Sequence, residues 1–217
     1  YASKQILRAW KIPVTTDRLL PADVSYAGLA AGMSFPLALK VVSRDIPHKS
    51  EIGGVQLNIQ SDAELAAAIC NMLVRVRRGA PAANLEGLLV SEMISDGIET
   101  IVGIVNDSVF GPVVVFGVGG IFAETLRDVT YRLAPFDPAT ALDMIGELRA
   151  SAILRGARGK PAGDIAALVQ ALVAVSELAW QLRASLEEMD INPLLVRPRG
   201  HGVVAADALL RFSAGKN

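Results

Sequence analysis

The feature that most constrains the fold is the stretch 37–59, in which two apolar segments flank a polar loop that ends in paired glycines. Lys40 lies inside the first apolar segment, whose successive side chains would point to opposite faces of a strand. Because burying an ammonium group without a partner is costly, Lys40 needs an anionic partner, and a phosphate suits it. Alternation at Val55, Leu57 and Ile59 predicts a return strand. The stretch therefore predicts a hairpin with a lysine near its base.

The loop of this hairpin combines a histidine with two glycines. His48 lies in its polar part, and Gly53-Gly54 would let backbone N–H groups approach an anion closely. Taken singly, each residue also has an ordinary explanation. Lys40 would be an edge-strand lysine with its head in water, His48 a solvated histidine and Gly53-Gly54 a turn. Their combination in one hairpin favours a phosphate-covering flap over residues 43–54.

The composition excludes several classes of protein. The chain has 217 residues, of which 52% are hydrophobic and 20% charged, so it is long and apolar enough for a substantial core. A formal net charge of −1 gives no sign of a nucleic-acid or anionic-membrane partner. The uncharged run 108–123 is shorter than the roughly 18 apolar residues of a spanning helix. Cys70 is the only cysteine, so we expect no internal disulfide and a reducing, cytoplasmic location.

Periodicity and capping signals predict interleaved helices and strands. Ser61 and Glu64 have capping-box spacing, and Asp137-Pro138 is a helix start with proline at the first helical position. The predicted helices cover 3–10, 23–33, 61–79, a segment from 137 and 164–184. The predicted strands cover 37–42, 55–59, 85–93, 98–105, 112–117, 186–190, 194–196 and 202–210. Because most strands form hairpin-like pairs, we expect α+β lobes with a nucleotide cleft, not a doubly wound parallel sheet.

Two further segments carry candidate nucleotide contacts. Glu92 and Glu99 flank the turn 94–97, where two carboxylates would accept from ribose hydroxyls or help to place an adenine. Each is also compatible with an ordinary surface acid. The glycine-rich segment 116–122 ends a predicted strand but lacks the lysine and hydroxyl residue that follow the glycines of a P-loop. A close-packed turn is the alternative for this segment.

Three oxygen-bearing residues near the end of the chain predict a metal site. Asp190 and Asn192 are two residues apart and would share one face of a strand. Asp207 lies in an apolar run, where an acid needs a cation or a hydrogen-bond partner. A few oxygen ligands suit Mg²⁺ held jointly with phosphates. Capping or turn roles are the alternative for Asp190 and Asn192.

The motifs resemble a known family. The segment 37–55, Leu-Ala-Leu-Lys-Val-Val-Ser-Arg-Asp-Ile-Pro-His-Lys-Ser-Glu-Ile-Gly-Gly-Val, closely resembles the ATP-grasp segment of NDP-forming acyl-CoA synthetases. Arg44 stands where proline is usual in that family, Glu51 where aspartate is usual, and Val105 where a charged residue is usual. Essentially the whole chain shares the resemblance. The other matching segments are 90–93, 97–103, 116–122, 131–135, 158–164 and 189–194.

The resemblance implies an ATP-grasp fold, in which two α+β lobes clamp a nucleotide. We expect a smaller lobe over about 20–92 that includes the 43–54 flap, and a larger lobe over 93–217 on which residues 1–19 pack. It also implies Mg²⁺ as cofactor, with Asn192 and Asp207 as ligands and Asp190 binding directly or through another ligand. The nucleotide-binding residues that it implies are Lys40, Gly53, Gly54, Val55, Glu92, Met93, Ile94, Glu99, Gly119 and Gly120.

The activity implied is that of one half of an acid–thiol ligase, which couples an acid, CoA and ATP to acyl-CoA, ADP and phosphate. In this family a phosphohistidine on a separate module carries the phosphoryl group, so CoA-binding and CoA-ligase modules are expected as partners, in the same polypeptide or as an α subunit. Lys40 and His48 would be catalytic, with His48 a transient phosphoryl acceptor. The rival hypothesis is a non-catalytic sensing or scaffold domain, as in similar regions fused to lysine acetyltransferases. A ligase joining a carboxylate to an amine is disfavoured by the His48 loop.

Overall fold

A computed structural model describes residues 1–21, 28–46, 49, 51–119, 128–157 and 161–213. The chain divides into two compact units. Unit 1 consists of Thr15–Met93 together with Tyr1, and unit 2 consists of Ala2–Val14 and Ile94–Asn217. Helix α1 (Ala2–Ala9) therefore belongs to unit 2 although it precedes unit 1 in the chain. No helix in the part of the chain that the structure describes has the length and apolarity needed to cross a membrane.

Unit 1 is an antiparallel sheet with a helix on one face. Its described elements are β1 (Asp17–Leu20), β2 (Leu37–Val42), β3 (Val55–Ile59), α2 (Asp62–Gly79) and β4 (Gly87–Glu92), with strand order β1-β4-β2-β3. Leu37, Leu39 and Val41 of β2 are fully buried and share a core with the apolar stripe of α2. The Ser61 hydroxyl accepts the N–H of Glu64, which confirms the predicted cap of α2.

Unit 2 has a second antiparallel sheet, with its helices on one face. The described elements are β5 (Ile98–Asp107), β6 (Gly111–Val118), β7 (Val129–Leu133), α3 (Pro138–Glu147), α4 (Ser151–Leu154), α5 (Ile165–Gln181), β8 (Leu186–Val196), β9 (Val203–Ala205) and β10 (Ala208–Phe212). The strand order is β10-β8-β5-β6-β7, and β9 also pairs with β8. Helices α3 and α5 pack against β6, β7 and β8. The opposite face of β5 and β8 carries the exposed polar side chains of Glu99, Asp190 and Asn192.

One aspartate connects α5 to the β8–β9 hairpin. The Asp164 carboxylate caps α5 by accepting the Ala167 N–H at 3.1 Å, and its other oxygen accepts the N–H groups of Gly200 and Gly202 at 2.9 and 3.0 Å. These hydrogen bonds lower the pKa of Asp164 more than burial raises it. The Asp of the 158–164 motif is therefore a structural residue that joins two elements of unit 2.

The α+β fold with hairpin-paired strands is confirmed, and several local predictions are corrected. The predicted helix 23–33 is wrong over its described part, because Gly28 and Gly32 have φ values of 69° and 77° and form turns. Residues 23–27 of that segment lie outside the described residues. The predicted strands 186–190 and 194–196 form one strand, whereas 202–210 forms two, interrupted at Ala206 and Asp207.

Candidate nucleotide- and metal-binding site

Lys40 lies on the central part of the unit 1 sheet. Its neighbours in register are Val55 on β3 and Leu89 on β4. The residue is half-buried, while Leu39 and Val41 on either side are fully buried against the core. The alternation predicted from the sequence is therefore present, and Lys40 projects from the face opposite the core.

The glycine pair closes the loop between β2 and β3. The N–H of Gly54 donates to the Lys49 carbonyl at 2.7 Å, and its own carbonyl accepts the Val41 N–H at 2.8 Å. A Cβ added at Gly54 would lie 2.6 Å from Val41 Cγ1, so close packing alone requires a glycine there. Gly53 has a φ of 69°, which also favours glycine. His48 lies outside the described residues.

Glu92 and Met93 are fixed at the end of β4 by contacts inside unit 1. Glu92 Oε1 accepts the Ser34 N–H at 2.6 Å, and Met93 Sδ accepts the Asn58 N–H at 3.2 Å. The Met93 N–H donates to the Pro36 carbonyl at 2.9 Å. The Glu92 carboxylate thus has a structural partner, which the sequence interpretation did not anticipate. Ile94, the next residue, is half-buried and belongs to unit 2.

Unit 2 brings Glu99 and Gly119 together. The Gly119 N–H donates to the Glu99 carbonyl at 2.7 Å, and a Cβ on Gly119 would lie 3.1 Å from that oxygen. The Glu99 side chain is exposed at the start of β5. The glycine-rich strand end and the predicted ribose-contacting acid are therefore adjacent, whereas Gly120 lies outside the described residues.

The three predicted metal ligands lie on two adjacent segments, β8 and the residue before β10. Asp190 and Asn192 lie on the exposed face of β8, and the Asn192 N–H donates to the Asp207 carbonyl at 3.2 Å. Desolvation by the surrounding protein raises the pKa of Asp190, and repulsion by Glu188 and Asp207 raises it further. Glu188 was missed by the sequence interpretation, although its alternation with Asp190 and Asn192 indicates the same face. The Glu188 carboxylate is paired with Arg211 at 2.9 Å.

This donor set fits a magnesium ion held together with phosphates. Its side chains offer only carboxylate and amide oxygens, which Mg²⁺ prefers. In the described part of the chain no group of three or more His, Cys, Asp and Glu side chains is arranged to hold a metal by itself. A ligand set of two aspartates and an asparagine therefore leaves coordination positions for nucleotide phosphates, and a cation there would offset the charge that raises the pKa of Asp190.

Two pockets in unit 2 contain none of the predicted residues. One, of about 240 Å³, is lined by residues at the start of β5 and the end of β8, beside the ion pair of Asp96 with Arg197. The other, of about 430 Å³, is lined by both tryptophans of the chain, Trp10 and Trp180, with Glu177. The sequence interpretation gave no signal for either pocket, because each is assembled from segments far apart in the chain.

The chain matches known proteins over nearly its whole length. A family model described as an ATP-grasp domain matches residues 1–212. The β subunit of ADP-forming acetate–CoA ligase II from Pyrococcus furiosus is 39% identical over 96% of this chain and 88% of that subunit. ADP-forming acetate–CoA ligase I from Archaeoglobus fulgidus is 42% identical over 92% of this chain, but only 29% of that longer protein is covered.

A solved structure gives the same result for the fold. Dinucleotide-forming acetyl-coenzyme A synthetase 1 from Candidatus Korarchaeum cryptofilum has a TM-score of 0.83 and 34% identity, covering 97% of this chain and 90% of that one. That protein was solved in complex with coenzyme A and Mg-AMPPCP, with its phosphohistidine segment pointing towards the nucleotide-binding site. The resemblance and the fold class are confirmed by these matches. The chain belongs to the ATP-grasp family, in the group that includes the β subunits of ADP-forming acetate–CoA ligases.

Proposed function

We propose that this chain is the nucleotide-binding, phosphoryl-transfer half of an ADP-forming acyl-CoA synthetase. The observation that carries the proposal is that Asp190, Asn192 and Asp207 lie on adjacent segments: the Asn192 N–H donates to the Asp207 carbonyl, and the Asp207 charge contributes to the raised pKa of Asp190. Such donors suit Mg²⁺ bound to a nucleotide. The full-length relatives are named as ADP-forming ligases, which favours catalysis over the non-catalytic scaffold alternative.

The predicted site residues would have different roles in binding the nucleotide. Mg²⁺, when bound, supplies positive charge that stabilises the phosphate oxygens during transfer. Asn192 and Asp207 would hold the ion, and Asp190 would bind it directly or through another ligand. Lys40 would offset charge on the phosphates, and the flap 43–54 would cover them. Glu99 would accept hydrogen bonds from the ribose.

His48 is the proposed transient phosphoryl acceptor. An imidazole nitrogen would form a bond to the terminal phosphorus of ATP as the bond from that phosphorus to the bridging oxygen breaks, which releases ADP. The phosphoryl group would then pass to the histidine of a partner module. The Korarchaeum protein has a phosphohistidine segment that points towards its nucleotide-binding site, which supports phosphoryl transfer between a nucleotide site and a histidine of another segment.

The complete reaction needs further modules. The matched region is 88% of a β subunit but only 29% of the Archaeoglobus ligase, so the CoA-binding and CoA-ligase parts would be supplied by an α subunit or by the rest of a fused chain. ATP or ADP would be the substrate of this chain, in the cytoplasm and without a membrane or nucleic-acid partner.

Calorimetric titration with ATP and ADP, with and without Mg²⁺, tests the nucleotide site. Asn192→Ala and Asp207→Ala should each weaken Mg-dependent binding roughly 10–100-fold, as loss of a metal-supporting group does, while the fold stays intact. Asp143→Ala is the matched control, because Asp143 is an exposed aspartate on α3 of the same unit. Nucleotide binding as tight as the parent's in both test variants would refute the metal assignment.

Phosphoryl transfer with the partner modules tests the histidine. His48→Ala should bind Mg-ATP normally and lose transfer to the partner. His201→Ala is the control, since His201 is the chain's other histidine and lies exposed in the β8–β9 hairpin. Normal turnover in His48→Ala would exclude a relay through this residue.

A further inference from the structure

One pocket of unit 2 is lined by residues that have no part in the proposed nucleotide site. Three segments build it: Trp10 follows α1, Pro135 lies between β7 and α3, and α5 contributes Glu177, Trp180 and Gln181. Its volume of about 430 Å³ falls within the roughly 300–1,000 Å³ of small-molecule sites. None of the residues assigned to the nucleotide or to Mg²⁺ lines it. A ligand in this pocket would therefore be distinct from the nucleotide.

The walls of the pocket are held in place by hydrogen bonds and core packing. The Trp10 N–H donates to two carbonyls in the last turn of α1 at 3.2 and 3.1 Å, and Trp10 packs against the core of unit 2. The Phe136 N–H donates to the Ser176 hydroxyl oxygen at 3.3 Å, which ties the segment beside Pro135 to α5. The three segments are thus fixed relative to one another before any ligand binds.

Two indole rings line the pocket. Trp180 is 40% exposed and Trp10 is half-buried. The face of an indole ring attracts a cation that lies within about 6 Å of the ring centroid. Trp180 already shows this property, because the Arg183 guanidinium lies 4.1 Å from its ring centroid. Arg183 does not line the pocket, so the part of the ring that does is open to a ligand.

The charge that lines the pocket is negative. Glu177 is the one charged side chain among the five lining residues, and among the described residues no hydrogen bond or ion pair occupies its carboxylate. Trp10 directly follows α1, and Gln181 is the last residue of α5. The C-terminal end of a helix carries partial negative charge, which favours a cation and disfavours an acid such as Glu177. The last turn of α5 contains no basic residue. A cation bound here would offset the negative charge of both helix ends and of Glu177.

The scarcity of hydrogen-bond acceptors decides which kind of cation fits. Among the lining side chains, only Glu177 and Gln181 carry oxygen acceptors. A guanidinium has five N–H donors and an ammonium three, and each donor that leaves water needs an acceptor. A quaternary ammonium group has no donor, because its charge is surrounded by alkyl groups that can contact indole faces.

We propose that this pocket binds a quaternary ammonium ligand, with its alkyl groups against Trp10 and Trp180 and its charge facing the Glu177 carboxylate. The proposal goes beyond the nucleotide function and does not depend on it. Binding of the ligand and binding of Mg-nucleotide can therefore each be present or absent without the other.

Tryptophan fluorescence tests the proposal directly, because Trp10 and Trp180 are the only tryptophans of the chain and both line the pocket. The chain is titrated at constant ionic strength with choline, with its neutral isostere 3,3-dimethylbutan-1-ol and with Nα-acetyl-arginine amide. Choline should give a saturable change and bind at least roughly tenfold more tightly than the isostere, as expected for a cation held between aromatic rings. No saturable change with choline at millimolar concentration, or equal affinity for the isostere, would overturn the proposal. Tighter binding of the arginine derivative would overturn the choice of a quaternary ammonium.

Two substitutions assign the binding to this pocket. Glu177→Gln keeps the shape of an exposed side chain but removes its charge, so choline should bind roughly two- to fivefold more weakly while the neutral isostere binds as before. Trp180→Leu should lose most of the choline affinity, with Trp10 as the remaining reporter. Asp143→Asn is the matched control, because Asp143 is an exposed acid of unit 2 outside the pocket. Unchanged choline binding in Glu177→Gln or in Trp180→Leu would refute the assignment.

A second measurement separates this site from the nucleotide site. Both variants should bind Mg-ATP as the parent does, and their urea unfolding midpoints by circular dichroism show whether the fold is retained. If the parent binds choline but no Mg-nucleotide, the proposed function fails and this inference stands. If the parent binds Mg-nucleotide but no choline, only this inference fails.

Discussion

Replacing Asp164 by alanine should destabilise unit 2 without touching the proposed nucleotide contacts. The side chain is buried, and its two oxygens accept three backbone N–H groups, from Ala167, Gly200 and Gly202. Alanine keeps the backbone in place but leaves the first turn of α5 and the β8–β9 hairpin without their shared acceptor. The substitution therefore removes a connection between α5 and the β8–β9 hairpin, whose linked residues Asp164 and Gly200 are 36 positions apart in the sequence.

The three lost hydrogen bonds determine how far the free energy of unfolding of unit 2 should fall. Removing a helix N-cap costs about 1 kcal/mol. The Gly200 and Gly202 N–H groups lie in a partly exposed hairpin and can turn to water, so each bond to the carboxylate is worth about 0.5–1 kcal/mol, at the low end for hydrogen bonds. The sum is a loss of about 2–3 kcal/mol in the free energy of unfolding of unit 2.

Urea unfolding followed by tryptophan fluorescence reports on this unit alone, because Trp10 and Trp180 both lie in unit 2 and are the only tryptophans of the chain. Asp137→Ala is the matched control, since Asp137 caps α3 through the Thr140 N–H and lies outside the β8–β9 hairpin. Equal unfolding midpoints for Asp164→Ala and Asp137→Ala would refute the role of Asp164 in holding the hairpin.

The pH dependence gives an independent check on Asp164. Its pKa is lowered by the backbone N–H groups, so the folded state holds its proton less tightly than the unfolded state does. The stabilisation is therefore complete above the ordinary aspartate pKa and is lost as the pH falls through the lowered value. The difference in stability between the parent and Asp164→Asn should stay constant near neutral pH and shrink only in acid.

Two further predictions concern residues of the proposed site, and a third concerns a glycine outside it. Asp190→Asn should raise the unfolding midpoint at neutral pH, because the pKa of Asp190 is raised and its charged form therefore destabilises the fold. This gain in stability should fade in acid, where the parent carboxyl is protonated. Mg-nucleotide binding by Asp190→Asn should be weaker at every pH at which the parent binds. Gly54→Ala should destabilise unit 1 by about 1–3 kcal/mol in urea unfolding followed by circular dichroism, because its Cβ would lie 2.6 Å from Val41 Cγ1. In Gly146→Ala, where the nearest atom is the flexible end of Arg155 at 3.8 Å, stability should rise by about 0.5–1 kcal/mol.

The elements that the sequence predicts correctly have strong local signals. Ser61 and Glu64 predict the start of α2, and Asp137-Pro138 predicts the start of α3, because capping acts between residues three apart. The edge strands β1 and β7 were missed, since four or five residues with mixed polarity give little periodicity. The predicted helix 23–33 is wrong over its described part, residues 28–33, because the alanine content was given more weight than Gly28 and Gly32, whose left-handed conformations belong to turns.

Some features of the candidate site also follow from neighbouring residues, whereas others depend on residues far apart in the sequence. Asp190 and Asn192 share a face because they are two residues apart, which any strand guarantees. The hydrogen bond from the Ser34 N–H to Glu92 joins residues 58 apart, so no sequence pattern reveals that this acid has a structural partner.

The Asp190 carboxylate departs from good local design at a position proposed to bind a ligand. Desolvation, Glu188 and Asp207 raise its pKa, so its charged form lowers the stability of the fold at neutral pH. Asparagine at this position would remove that cost. Sequences that are consistent at other levels tolerate such conflicts where function requires them. Mg²⁺ held by Asp190 would relieve the conflict at the moment of binding, so a carboxylate that weakens the unliganded fold would contribute to holding the nucleotide.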